Sequence, residues 1–227
     1  MVQLPGMAAL SLRLEAVLAA AGRCGVLADV CADHALVALA AVARGSAARA
    51  IAVELRRAPL LLAARNRARA GLSGRVLLVR GAGLSAVRRA DVVVIAGVGG
   101  DTAAQLLQAA PGPPGAGRVV VQPNRHAGEV RAWARGAGFR LAAERAVADG
   151  AQLHLVLSFE RRPGGDPAYG ARPLEAELLL GPLLLASAEA GEPAARAFLR
   201  GELRRLRALS GHRPGLRPAL RALEELF

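Results

Sequence analysis

The sequence predicts an α/β fold, a mostly parallel seven-stranded sheet followed by a small helical tail, and three observations carry the prediction. Five short apolar runs rich in Val and Ala each lead through a turn toward a segment of helical character, the alternation that builds a parallel sheet covered by helices. Two more strand-like runs meet at Asp149-Gly150, a dipeptide suited to a tight hairpin. Past Arg162 the pattern is helical, which divides the chain into residues 1–162 and a helical domain of residues 163–227.

Each element follows from local pattern. Leu10, Leu14, Val17 and Leu18 share a helical face, with Ser11 near its start, predicting a helix over Leu10–Ala21 that covers one edge of the sheet as a lid or brace. A first strand ends at Val30, and the turn Cys31-Ala32-Asp33 leads past His34 into a helix over Ala35–Ala43, stopped by Arg44-Gly45. Ala50–Val53 is the second strand with Glu54 at its carboxyl end, and Leu55–Ala70 is a helix ending at Gly71. Val76–Val79 is a third strand halted by Gly81-Ala82-Gly83. Asp91–Ala96 is a fourth, running into Gly97-Val98-Gly99-Gly100 before a helix over Thr102–Ala109. The cluster Pro111–Gly117 reads as a loop, Val119–Gln122 as the fifth strand, and Pro123-Asn124-Arg125-His126 as its exit turn into a helix over Glu129–Ala137. Phe139–Val147 and Gln152–Phe159 form the hairpin. Leu174–Ala186, Pro193–Leu209 and Leu216–Leu226 are helical, the last two expected as an antiparallel pair across Gly211–Gly215.

Composition narrows the function classes. With 227 residues, 53% of them hydrophobic, the chain has material for one sizeable core and is not a disordered tail. A net charge of +12 points to a polyanionic partner, nucleic acid or an acidic membrane surface. All 30 basic residues are arginine, which fits a GC-rich coding bias, so the sign of the charge carries weight and the choice of Arg does not. Cys24 and Cys31 match neither a metal-ligand spacing nor a disulfide framework, and the chain reads as reduced and cytoplasmic. Arg13 and Glu15 interrupt the first apolar segment, and Gly181-Pro182 breaks the run Leu178–Ala188, which is shorter than the roughly 20 residues of a membrane span. No membrane association is expected. With 3% aromatic residues, a single-strand binder that works mainly by stacking is disfavoured.

The strand-to-helix turns are where chemistry is expected. In open α/β sheets, nucleotides bind at the carboxyl end of the first strand, which puts Asp29, Cys31, Asp33 and His34 at the site. Asp33 serves equally well as a helix N-cap, and His34 as a capping or packing residue. Glu54 stands where an acid accepts ribose hydroxyls, or where a strand-end carboxylate pairs with Arg56 or Arg57. The amides of Gln122 and Asn124 can bond a base edge or brace the glycine turn. A closing hairpin separates a class I methyltransferase from a dinucleotide dehydrogenase, whose Gly-x-Gly-x-x-Gly is absent from the first turn.

Three ordered motifs, Asp29-Val-Cys-Ala-Asp-His34, Ile95-Ala-Gly-Val-Gly-Gly100 and Val121-Gln-Pro-Asn124 with His126, resemble the bacterial tRNA (adenine-22-N1)-methyltransferase family over about Leu10–Phe159. The tail is arranged like that family's C-terminal coiled-coil domain. The resemblance implies a Rossmann-like class I methyltransferase fold and S-adenosylmethionine as cofactor, with methyl transfer to N1 of an adenine in tRNA. It implies no metal, and a monomer is expected. Asp29, Cys31, Asp33, His34, Glu54, Leu55, Gly81, Ala82 and Gly97 would bind the cofactor. Gly97, Gly99, Gly100 and Asn124 would be catalytic, and Gln122, Pro123, Asn124, Arg125 and His126 would meet the substrate. Arginines between Arg56 and Arg75, with Arg125, Arg131, Arg135 and the tail set Arg200, Arg204, Arg205 and Arg207, would track phosphates.

The family usually carries glycine at Cys31, an acid at Ala82 and an aromatic at Leu36. These departures leave an alternative, a tRNA-binding protein of the same fold with weak or lost cofactor binding.

Overall fold

The computed structural model describes residues 9–109, 115–209 and 214–227. Helix α1 (Leu12–Ala21) precedes strand β1 (Cys24–Val30), helix α2 (Leu36–Ala43), strand β2 (Ala47–Glu54), helix α3 (Arg57–Arg69) and strand β3 (Val76–Arg80). A short 3-10 turn, Gly83–Ala86, leads to β4 (Val92–Val98), α4 (Gly100–Gln108), β5 (Arg118–Pro123) and α5 (Ala127–Gly136). The hairpin β6 (Phe139–Asp149) and β7 (Gln152–Arg161) is followed by α6 (Leu174–Leu180), α7 (Pro182–Glu189), α8 (Pro193–Leu209) and α9 (Arg217–Leu226). Residues 111–114 of the expected Pro111–Gly117 loop, and 211–213 of the expected break before the last helix, lie outside the described residues.

The strands form one seven-stranded sheet in the order β3-β2-β1-β4-β5-β7-β6. Among the seven strands β7 alone is reversed in direction, pairing antiparallel with both β5 and β6. The central strands are buried on both faces, which is why they read as runs of Val and Ile rather than as an alternation with polar residues. Successive side chains point to opposite faces. Val93, Ile95, Val119 and Val121 therefore pack with Leu107 of α4 and Val130 and Trp133 of α5. Val92, Val94 and Val120 pack on the other face with Val17 and Leu18 of α1 and Leu39 of α2.

Three expectations are corrected. Helix α1 lies across a face of the sheet rather than along an edge, because its apolar stripe meets Val94, Val120 and Val156. Strand β4 continues through Gly97 to Val98 as an irregularity in its pairing with β5, so Gly97 lies within the strand. The expected helix Leu174–Ala186 is two helices, because Gly181 takes φ 97 and Pro182 opens α7, a position where proline's missing N–H is harmless.

A buried ion pair fixes that break to the sheet. Arg131 of α5 and Glu144 of β6 are both fully buried, with Nε 2.6 Å from Oε1. Glu144 Oε2 accepts the N–H groups of Leu183 and Leu184 at 3.0 Å each, so a strand carboxylate caps the start of α7. Arg131 Nη1 donates to the carbonyls of Leu178 (2.7 Å) and Leu179 (3.2 Å) at the end of α6. Gly181 is required, since a Cβ there would stand 2.5 Å from Arg131 Nη2 and 2.6 Å from Glu144 Oε1. The arginine expected to track phosphate is thus a structural group. Leu180, Leu184, Leu185 and Leu199 of the tail share one apolar cluster with Phe139, Leu141 and Leu157 of the hairpin.

Glu144→Ala leaves the Arg131 charge buried and the start of α7 uncapped, and should cost about 3–5 kcal/mol of unfolding free energy by denaturant titration. A loss under about 1 kcal/mol would show that the pair does not hold the tail.

Candidate active site

The direction in which the sheet is wound reverses between β1 and β4, which lie side by side in register Leu27↔Val92 to Val30↔Ile95. Their exit turns diverge, opening a crevice at the carboxyl ends of the strands. It has a volume of about 550 Å³.

The turn after β1 is a strained segment held from outside. Cys31, Asp33 and Ala35 take φ values of 60, 48 and 58, a region that favours glycine. Cys31, where the resemblance leads to the expectation of glycine, takes a φ of 60 that glycine would adopt without strain. The turn is tied to β2 by Ala32 N–H donating to Val53 O (3.0 Å) and Asp33 N–H donating to Glu54 Oε2 (3.1 Å). External bonds of this kind over-determine a strained backbone. Ala35, not Asp33, is the N-cap of α2, and it makes no side-chain cap bond. The Asp33 carboxylate is left exposed, 3.5 Å from His34 Nε2 and 3.8 Å from Arg56 Nη2.

Glu54 is buried. Its Oε1 accepts Arg56 N–H at 2.8 Å and Arg56 Nε–H at 3.3 Å, so the expected pairing with Arg56 occurs from a buried position that also grips the β1 turn. Asp29 is buried below the same turn, accepting one N–H, from Ala38 at 3.1 Å. Burial pushes its carboxyl up to about 7, the Ala38 bond offsetting only part of that. Gly81 lets the β3 exit pass close to Ala86, whose Cβ would lie 2.8 Å from an added Cβ.

The fourth wall is Gly97, with φ 80. Its N–H donates to Gln122 Oε1 at 3.1 Å and its carbonyl accepts Asn124 Nδ2–H at 2.8 Å. Gln122 is fully buried; its Nε2 donates to Asn124 Oδ1 at 3.3 Å, and its Oε1 also accepts Arg13 Nη1–H at 2.5 Å. The two amides therefore brace the glycine bend.

All nine residues expected to bind cofactor line this crevice: Asp29, Cys31, Asp33, His34, Glu54, Leu55, Gly81, Ala82 and Gly97. Gly99, Gly100 and Asn124 do not. A Cβ on Gly100 would run into the carbonyl of His126, and Gly100 N–H donates to Arg125 O at 2.8 Å, so this glycine packs α4 against the β5 exit turn. Pro123, Asn124, Arg125 and His126 line a second cavity of about 550 Å³ behind that turn. His126 Nδ1 is 2.5 Å from Asp101 Oδ2, and this contact holds the Asp101 carboxyl below its usual range. Arg13, which is not among the site residues expected from sequence, reaches from α1 into the crevice; its signal in the sequence is one arginine in an apolar helical segment. Among the described residues there is no group of three or more His, Cys, Asp or Glu placed to hold a metal, and no helix is long and apolar enough to cross a membrane.

Strand order, closing hairpin and crevice together define a class I methyltransferase. Residues 10–157 match the family model described as a methyltransferase domain. The tRNA (adenine(22)-N(1))-methyltransferase of Bacillus subtilis (strain 168) is 34% identical over 178 residues, 77% of this chain and 74% of that protein. The chain belongs to this family of tRNA adenine-N1 methyltransferases. The crystal structure of the B. subtilis M1A22 tRNA methyltransferase TrmK superposes with a TM-score of 0.81 at 28% identity, covering 96% of this chain and 98% of that one. A Streptococcus pneumoniae protein described as a putative tRNA (m1A22) methyltransferase, solved in complex with S-adenosyl-L-methionine, gives 0.83 at 26% identity over 96% and 99% of the two chains.

Asp29 provides a pH test. Its carboxyl ionises near 7 when folded against an ordinary 3.8, so between those values the folded protein holds the extra proton. Stability should fall as pH rises from about 4 to about 7 and level off above, by at most about 4 kcal/mol in total. Asp29→Asn should remove that fall and be more stable than the parent at pH 8 by denaturant titration. An unchanged pH profile would show that Asp29 is not its source.

Proposed function

We propose that this protein transfers the methyl group of S-adenosylmethionine to N1 of an adenine in tRNA, at the position 22 that its relatives' names specify. The observation that carries the reading is the convergence of four strand ends, with Asp29, Glu54, Gly81 and Gly97, on one crevice. Its volume of about 550 Å³ suits a nucleoside-sized ligand. Glu54 accepts three N–H bonds and keeps an acceptor site on Oε2 for one ribose hydroxyl, the second hydroxyl replacing the long 3.3 Å bond from Arg56 Nε on Oε1. Asp33, exposed at the rim, sets negative charge near a cationic ligand, and buried Asp29 adds to it only once its carboxyl ionises, near pH 7. Cys31, His34, Leu55 and Ala82 complete the walls.

Bound there, the cofactor supplies a methyl group on a cationic sulfur. N1 of adenine carries an in-plane lone pair, so the reaction asks for alignment rather than proton removal. Gly97 allows a base to approach closely because it has no side chain, and Gln122, Asn124 and Arg13 keep its peptide from shifting. The adenine would leave its stack to reach this wall. Pro123, Arg125 and His126 would hold the nucleotide from the neighbouring turn. Arg57, Arg65 and Arg69 along α3 would contact phosphates, and residues 163–227 would widen the RNA contact as a helical domain. We place the protein in the cytoplasm as a monomer.

The catalytically silent RNA-binding alternative is not favoured. Cys31 adopts the backbone the turn needs, and the crevice stays open. An acid missing at Ala82 costs about 1.5–3 kcal/mol, which weakens binding without abolishing it.

Labelled methyl transfer onto unmodified tRNA followed by nucleoside analysis should yield 1-methyladenosine. Glu54→Gln should weaken S-adenosylmethionine binding by roughly tenfold to a hundredfold in calorimetry. Label in N6-methyladenosine or a methylguanosine would overturn the N1 assignment.

A further inference from the structure

The second cavity takes no part in the methyl transfer itself, and of its lining only the turn Pro123, Asn124, Arg125 and His126 is used in the proposed function. It is as large as the first, about 550 Å³, and lies between the β5 exit turn, β7 and α8. Leu155, Leu180 and Leu206 give it an apolar floor, and Phe198 offers an aromatic face. Arg125 and Arg205 stand on its rim, Arg205 forked onto Glu202 by bonds of 3.0 and 2.5 Å. His154 also lines it; burial, helped by Arg13, lowers its pKa below the usual 6.5, so its ring is neutral at pH 7, with one donor and one acceptor. Arg131 lines its inner wall, and Nη2 of this fully buried guanidinium has no hydrogen-bond partner among the described residues.

The two cavities share one partition. Gly97 lines the first and Asn124 the second, joined by the 2.8 Å bond from Asn124 Nδ2 to Gly97 O. A cavity with an apolar floor, one phenylalanine, side chains that donate and accept hydrogen bonds, and arginines at its mouth has the chemistry of a site for a single heterocyclic base tethered to phosphate. The net charge of +12 favours a polyanion over an apolar peptide as occupant.

We propose that the second cavity binds an unstacked nucleobase of the RNA next to the adenine that is methylated. This rests on the reading of the protein as a tRNA methyltransferase. One base sits against Gly97 while its neighbour is held behind the Asn124 partition, and occupation of the second cavity fixes which adenine is presented. The arrangement gives a slot for base recognition to a chain with few aromatic residues.

Leu153 is partly exposed on β7 at the cavity wall, so Leu153→Trp fills the space without removing a buried group. The variant should raise KM for tRNA by about tenfold or more, with the Kd for S-adenosylmethionine unchanged. Arg205→Ala, which removes only a rim charge, should raise KM for tRNA less. In tRNA carrying 2-aminopurine beside the methylated adenine, fluorescence should rise on binding wild type and not on binding Leu153→Trp. A wild-type protein that methylates adenine N1 while Leu153→Trp keeps the parental KM and fluorescence change would overturn the base site alone. A wild-type protein that methylates no tRNA would instead remove the reading on which it rests.

Discussion

Two parallel strands, β1 and β4, lie side by side at the centre of the sheet while their chains depart toward opposite faces, and the gap left between those departures is the constraint on which the rest depends. A gap of this kind exposes backbone that no neighbouring strand can satisfy. The molecule answers with side chains. Glu54 takes up N–H groups from the β1 and β2 turns, and on the β4 side Gln122 accepts the N–H of Gly97 while Asn124 donates to its carbonyl. The groups that define the crevice are therefore the groups that keep its backbone bonded, and its shape is set before any ligand enters.

The same logic operates at the far side of the sheet. Arg131 and Glu144 satisfy the end of α6 and the start of α7, and the tail leucines then complete the apolar cluster under the hairpin. The tail thereby becomes a fixed wall for the second cavity rather than a loosely attached arm. Position in the core, not charge, decides what each arginine does: Arg131 is structural, Arg13 braces the site, and Arg205 is left at a rim.

Much of this was legible because local chemistry repeats with the chain. Apolar runs buried on both faces announced the strands, and Asp149-Gly150 announced the hairpin. Spacing from the first turn to Glu54, together with the family resemblance, named nine residues that line the crevice. What the sequence hid depends on contacts distant in the chain. The face on which α1 packs is set by Val120 and Val156, and the glutamine brace by residues 25 and 109 positions away. Gly97 reads the same in a loop as in an irregular strand; only pairing with β5 distinguishes them. Gly100 looked like part of a catalytic glycine turn and is a packing contact, because the carbonyl it must clear comes from the β5 exit.

The crystal structure of the protein soaked with S-adenosylhomocysteine tests the central claim most directly. Density for the nucleoside is expected in the crevice, with both ribose hydroxyls on the Glu54 carboxylate and the thioether sulfur against Gly97. Density confined to the cavity behind Asn124, or a nucleoside turned so that its ribose lies away from Glu54, would contradict it.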